Sequence, residues 1–373
     1  MRPIYLDYMA TTPIDPDVAK IMYEAMLDPD LQSSWTSQHH YGKQVNLKRK
    51  TCLDLIASIL DADPQGIVIT SSATESIQSV IQGTLENYHR SGNHFVSLTN
   101  EHHATLAALD HVQKQGAKVT LLQTQQDGLV DMQTLLKSLT SETLMVTLSY
   151  VNSEIGVIQP IHEIAQICQE KGILLHVDAT QAIGKIPVSF QEIGADYMSF
   201  SAHKFYGPRA IGGLICKTSP NRQFTSMIRS HKSQANKRPG TESISQLVGM
   251  TEALMLADKS LTERSKHVEK LSNKLIDALG DIVTINGSLA KRVPHNLNFD
   301  THLSQTKLAA LMEAFALSQA SACTNTSLTN SHVLRSIGVK PEAIQRSVRL
   351  SLSHLTSEAD ISQFIHHFKE LSS

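Results

Sequence analysis

The sequence predicts an α/β protein: a large domain with a mostly parallel seven-stranded sheet flanked by helices, plus a smaller α+β domain. Three observations carry that expectation. From about Asn46 to Lys217, short aliphatic runs alternate with amphipathic stretches, as repeated strand–helix units do. The runs are rich in β-branched and aliphatic residues, which suits strands buried on both faces. After Thr241 the alternation gives way to one long helical stretch and a different mixture of elements.

In chain order the predicted strands are "GIVIT" (Gly66–Thr70), "HFVSLT" (His94–Thr99), "KVTLLQ" (Lys118–Gln123), "LMVTLSYV" (Leu144–Val151), "ILLHVDA" (Ile173–Ala179), "DYMSFS" (Asp196–Ser201) and "GGLICK" (Gly212–Lys217). Helix-like stretches such as Ala104–Gln115 and Ile161–Lys171 lie between them. In the second, Ile161, Ile164, Ala165 and Cys168 share one face. A single helical stretch from Ser245 to about Leu279 then connects to strands "DIVTIN" and "HNLNFD", a helix, a segment around Cys323, "SVRLSLS" and a last helix. The expected division is a large domain over 15–255 and a small one over 1–14 and 256–373.

With 373 residues, 41% of them hydrophobic, the chain can bury a substantial core, and its formal net charge is only −2. The basic residues are scattered. The nearest cluster, "HKSQANKR" (His231–Arg238), is short and lacks interleaved aromatics, so nucleic acid is not expected as the main partner. No apolar run is long enough to span a bilayer, and "MRPIYLDYMATTP" has no signal-peptide pattern. A soluble cytoplasmic protein is expected. Four cysteines without CxxC spacing suggest neither a disulfide framework nor structural zinc. Cys52, Cys168 and Cys216 sit among apolar neighbours and read as packing. Cys323, in "ASACTNTSL" (Ala320–Leu328), has small and hydroxyl neighbours and no such reason to be there.

The chemistry concentrates where strands end. "HVDATQAIG" closes an apolar strand with Asp178, and "SFSAHKFYGP" closes another with Ser201, His203 and Lys204. Ligands of open α/β sheets bind at strand carboxyl ends. A lysine desolvated there can act as an amine nucleophile toward a carbonyl, and pyridoxal phosphate (PLP) chemistry needs such a lysine plus an acid for the pyridine nitrogen. Taken singly, each is more often a surface lysine or a capping aspartate; the pair at strand ends reverses that reading. "TSSATES" (Thr70–Ser76) opens a helix with small and hydroxyl residues, which suits a phosphate or an ordinary N-cap with Glu75 in the first turn. "NEHHA" (Asn100–Ala104) offers an imidazole for stacking and proton transfer. A metal is the weaker alternative, since only Glu101 stands at ligand spacing.

Together with "YLDYMATTPIDP", "VNSEIGVIQP", "RPGTES" and "ASACTNTSLTNSHVLRSIG", these motifs resemble, in order and spacing, the NifS-like cysteine desulfurases of the class V aminotransferase group, from about Ile4 to Phe368. The resemblance implies a PLP-dependent enzyme of fold type I. By position, Lys204 matches the lysine that holds the cofactor, Asp178 the partner of its pyridine nitrogen, Gln181 that of its phenolic oxygen, and His102 the catalytic histidine stacked on its ring. Ala73, Thr74, Ser201 and His203 match phosphate-binding positions. Thr241 matches a phosphate contact supplied by the partner subunit, which implies a homodimer. Arg349 matches the arginine that clamps the substrate carboxylate. Cys323 matches the nucleophile that takes sulfur from L-cysteine as a persulfide, leaving L-alanine; its loop has the length of a subgroup with a flexible arm. The implied sulfur destination is an acceptor protein serving iron–sulfur cluster, thio-cofactor or tRNA assembly. A selenocysteine lyase, another PLP-dependent lyase, or a PLP-binding paralogue without turnover are the alternatives.

Four departures from the family's pattern stand out. Ser33, Ser34 and Trp35 replace a Gly-Asn-Pro, while His39 and Gly42 still match. Ser153 stands where an asparagine normally meets cofactor and substrate. "RSHKSQANKRPGT" (Arg229–Thr241), with His231 and Lys232, replaces a glycine-rich loop, and His354 replaces an arginine. These changes are expected around the substrate mouth.

Overall fold

The computed structural model describes residues 2–219, 224–229, 238–319 and 331–373. His231, Lys232 and Cys323 lie outside them. All seven expected strands form one sheet, in the spatial order Ile67–Thr70, Gly212–Cys216, Tyr197–Ser201, Leu174–Asp178, Thr143–Ser149, His94–Leu98 and Lys118–Leu122. Neighbours are parallel except for the two pairings made by Gly212–Cys216. Because that strand is antiparallel to both its neighbours, Ile67–Thr70 again points the same way as the rest.

Register then fixes the site. Ser149 pairs with Asp178 and Asp178 with Ser199, while Ser201 and Thr70 both face Gly212. Strand ends far apart in sequence therefore share one sheet edge. The glycines of the reversed strand matter here. A Cβ on Gly213 would lie 2.4 Å from the Phe200 ring, and one on Gly212 would lie 2.5 Å from the Phe200 carbonyl oxygen. Without them the strand could not lie this close to Phe200, nor the Ser72 turn beside Gly212.

The main apolar cluster packs helices Pro16–Leu27, His40–Leu60, Ile161–Lys171 and Ile244–Lys259 on the sheet. A second cluster joins Leu6 to Leu271, Leu275, Phe299, Phe315, Phe364 and Phe368. It surrounds a three-stranded antiparallel sheet of Ser347–Ser351, Asn296–Asp300 and Thr284–Ile285. The N-terminus ties the two regions together: Ile4–Tyr5 pairs with Phe315–Ala316, and Asp7 bridges to Ser351.

The stretch expected as one long helix is two, Ile244–Lys259 and Leu261–Leu279. At Ser260 the backbone turns to φ −105°, ψ 7° and the hydroxyl donates to the Leu256 carbonyl. Such back-bonding by serine competes with the helix ladder. The first helix feeds the main cluster and the second the other.

Cys52, Cys168 and Cys216 are all buried. Burial, with the Asp196 carboxylate, pushes the Cys168 thiol up to about 12. Among the described residues, no helix is long and apolar enough to cross a membrane.

Candidate active site

The shared sheet edge borders a cavity of about 230 Å³. Its floor is made by the ends of strands and the turns that follow them. Lys204 sits in the short turn Ala202–Lys204 after Tyr197–Ser201, and its Nζ donates to the carbonyls of Met9 and Ala10 at 2.8 and 2.7 Å. Asp178 ends its strand, is 6% exposed, and accepts from the Thr180 N–H at 3.0 Å. Gln181 donates through Nε2 to the Met9 carbonyl at 2.9 Å, while its Oε1 is buried without a partner.

His102 caps the helix His103–Lys114 by accepting from the Ala104 N–H at Nδ1, 3.1 Å away. Burial lowers its pKa; Asp178 opposes that shift and Lys204 reinforces it. A neutral ring with Nδ1 as acceptor carries its proton on Nε2. Beneath it, Glu101 accepts from the Ser149 N–H and hydroxyl (2.9 and 2.6 Å), and burial pushes its carboxyl up to about 7.

At the anion-suited end, the helix Ala73–Tyr88 has no cap from its own Ser72 side chain. Ser201 instead accepts from the Ala73 N–H at 2.7 Å, and Thr74 lines the cavity beside it. The alternatives left open by the sequence, phosphate cradle or ordinary N-cap, thus divide in favour of a terminus turned to the cavity. His203 meets the Thr11 hydroxyl at 3.0 Å through Nδ1, and burial pushes its imidazole down to about 4.

Arg349 comes from the second sheet and is only 2% exposed. Its Nη2 donates to Asp7 at 2.6 Å and to the Ser318 hydroxyl at 3.0 Å, and Nη1 donates to the Ser153 carbonyl at 3.0 Å. Its Nε is buried without a partner, and the side chain lines the cavity. Ser153 therefore engages Arg349 through its backbone, a task open to any residue. The neighbouring amide, Asn152, is spent on the Asn100 carbonyl and the N–H groups of Glu154 and Ile155. It does not stand in for an amide at 153.

Ala73, Thr74, His102, Ser153, Asp178, Gln181, Ser201, His203, Lys204 and Arg349 thus border one cavity. Thr241 does not line it and is exposed on its own chain. Sequence reasoning missed Asp7, Ser318 and Glu101 and the carbonyls of Met9 and Ala10. Asp7 and the two carbonyls lie inside the quoted "YLDYMATTP", but nothing in that motif says which partners they have.

Among the described residues of these departures, Ser153 borders this cavity while Ser33, Ser34, Trp35 and His354 do not line it. Trp35 lines a separate cavity of about 200 Å³ with Arg49, Arg238 and Glu242. His354 packs against Tyr206, ring centroids 4.5 Å apart.

The floor also carries a pH liability. His176, two residues before Asp178, is fully buried and bridges the hydroxyls of Thr147 and Ser199 at 2.8 and 3.1 Å. Burial, partly offset by Asp178, pushes it from 6.5 to about 4. Between those values the unfolded chain binds a proton that the folded chain refuses, so stability present above the unfolded pKa is lost as pH falls toward the folded one. The loss attributable to this group is about 3 kcal/mol. His176→Gln is expected to shrink the pH 7 to pH 4 difference in urea-unfolding free energy by about that amount.

A family model described as aminotransferase class-V matches residues 4–364. A cysteine desulfurase IscS from Vibrio campbellii is 38% identical over 98% of this chain and 92% of its own length. The IscS of Buchnera aphidicola is 36% identical over 99% and 94%. Among solved structures, a NifS-like protein superposes with a TM-score of 0.90 at 29% identity, covering 99% of this chain and 98% of that one. SspA, solved in complex with cysteine, superposes with a TM-score of 0.83 at 26% identity over 94% and 98%. Matched over nearly its whole length, the chain belongs to the class V aminotransferases and, within them, to the NifS-like cysteine desulfurase group.

Proposed function

We propose that the protein binds pyridoxal 5′-phosphate and converts L-cysteine to L-alanine, carrying the sulfur on Cys323 to an acceptor protein. The observation that carries this reading is the convergence of Lys204, Asp178, His102 and Arg349 on one cavity. The residues fit the cofactor. Gln181 Oε1, Thr180 Oγ1 and Arg349 Nε are polar atoms of cavity-lining residues left without partners, and the uncapped helix terminus suits a phosphate.

When bound, the cofactor supplies the electron sink that makes a substrate Cα–H acidic. The protein's part is positioning and charge. Lys204 provides the primary amine that anchors the cofactor, Asp178 keeps the pyridine nitrogen protonated, and Gln181 meets the phenolic oxygen. His102 offers a neutral ring for stacking, with a proton at Nε2 to exchange. Arg349 takes the substrate carboxylate. The Cys323 thiolate attacks the substrate sulfur: an S–S bond forms, the Cβ–S bond breaks with its electron pair going to carbon, and a proton completes alanine.

The large domain (15–255) would hold the cofactor residues and the small one (1–14, 256–373) Arg349 and Cys323; the two apolar clusters support that division. The exposure of Thr241 supports a homodimer in which each subunit lends it to the other's phosphate. We place the enzyme in the cytoplasm.

The test is to load purified protein with PLP, record the visible band of lysine-bound cofactor, then add cysteine or selenocysteine. Alanine with sulfide from cysteine under reductant supports the reading, and a protein that cannot be loaded overturns it. Ser153→Asn restores an amide at the cavity wall and is expected to lower KM for cysteine about three- to tenfold with little change in kcat.

A further inference from the structure

The two rebuilt stretches meet the rest of the chain through charged side chains. Glu75 lies in the first turn of Ala73–Tyr88, the helix whose N-terminus faces the cavity. Its carboxylate accepts from the Ser71 N–H at 2.8 Å and takes both arms of the Arg238 guanidinium at 2.8 and 3.2 Å. The two side chains are only 7% and 20% exposed. Burial works against ionisation of Glu75, yet Arg238 and Ser71 hold its carboxyl below the usual range. Gly240, at φ 120°, makes room: a Cβ there would lie 2.9 Å from Arg238 Nη1. At the other end of this short segment, Glu242 takes Arg49 at 2.6 and 3.0 Å, and Arg49 lies 4.6 Å over the Trp35 ring.

An ionised Glu75 in a first turn stabilises its helix, but it also cancels the positive end that an incoming anion would use. Carboxylate and phosphate would then compete for one helix terminus in a medium that screens them poorly. The geometry points to Arg238 as a positioning residue for the cofactor phosphate: by pairing with Glu75 it leaves the N-terminus of Ala73–Tyr88 free for the anion. The Glu242–Arg49–Trp35 stack holds the other end of the segment, so the guanidinium stays in register with the helix. This inference rests on the proposed cofactor, and deepens it by tying phosphate affinity to Arg238 and the short segment 238–242.

The experiment compares binding of pyridoxal 5′-phosphate with binding of phosphate-free pyridoxal, followed by absorbance on cofactor-stripped protein. Arg238→Gln is expected to weaken PLP about tenfold and pyridoxal less than about twofold. Glu75→Gln keeps the acceptor for Ser71 and removes the charge, so PLP binding should hold or tighten. The double variant should recover most of the loss. Equal losses for both ligands, an unchanged Arg238→Gln, weakened PLP binding in Glu75→Gln, or no recovery in the double variant would each overturn the inference. Wild-type protein that binds pyridoxal but gains nothing from the phosphate overturns it too, while leaving the lysine chemistry standing. Wild-type protein that binds neither defeats the cofactor reading itself.

Discussion

Lys204→Ala is expected to cut alanine production from cysteine by about 10⁴-fold or more, with circular dichroism and the urea midpoint close to wild type. The loss is large because no other described amine borders the cavity: the buried Lys185 points to the Lys204 backbone carbonyl at 3.3 Å instead. The fold should survive because the Lys204 ammonium is held by the carbonyls of Met9 and Ala10, which water in the vacated space can satisfy. Lys185 gains in the exchange. Its amine is held down at about 7 by burial and by the neighbouring Lys204 charge, so removing that charge lets it ionise more readily. Partial recovery of activity on adding a small primary amine would show that the missing function is the amine itself. Activity within tenfold of wild type would sink the assignment of Lys204.

Arg349→Ala is expected to act twice. The KM for cysteine should rise about 100-fold, since the charged donor for the carboxylate is gone. Stability should also fall, by about 1–3 kcal/mol, because the Asp7 carboxylate, 16% exposed, and the Ser318 hydroxyl lose their donor. The two effects separate in a second variant. Adding Asp7→Asn to Arg349→Ala removes the stranded charge and should return part of the stability, read as the urea midpoint, while leaving KM high. If KM recovers with stability, the arginine serves the fold and the carboxylate has another partner.

Much of this was legible before any coordinates. Six of the seven aliphatic runs are strands buried on both faces, which need continuous apolar sequence, while the edge strand Lys118–Leu122 keeps exposed positions. Asp178, Lys204 and Ser201 could be placed because strand ends in a parallel sheet face one edge. What stayed hidden depends on distant pairing. The Asp7–Arg349 ion pair joins positions 342 apart, and a single charged residue carries no periodicity to announce its partner. Glu101 stood out only as a weak metal-ligand candidate beside two histidines, whereas its burial, opposed by the bonds from Ser149, gives it its altered proton affinity. The break at Ser260 turns on one hydroxyl that shares the Leu256 carbonyl with the helix bond. Trp35 was expected at the substrate mouth because a sequence gives no direction to a side chain; it lies instead against Arg49, which pairs with Glu242.

The three cysteines packed into the core have a bearing on bookkeeping of a chemical kind. A thiol sealed among aliphatic side chains, and in the case of Cys168 held protonated far above neutral pH, is neither a nucleophile nor a target for exchange. On the proposed function, sulfur arriving on Cys323 would find no second reactive thiol among the described residues of its own chain. Such a carrier would hold one atom at a time and pass it outward to an acceptor.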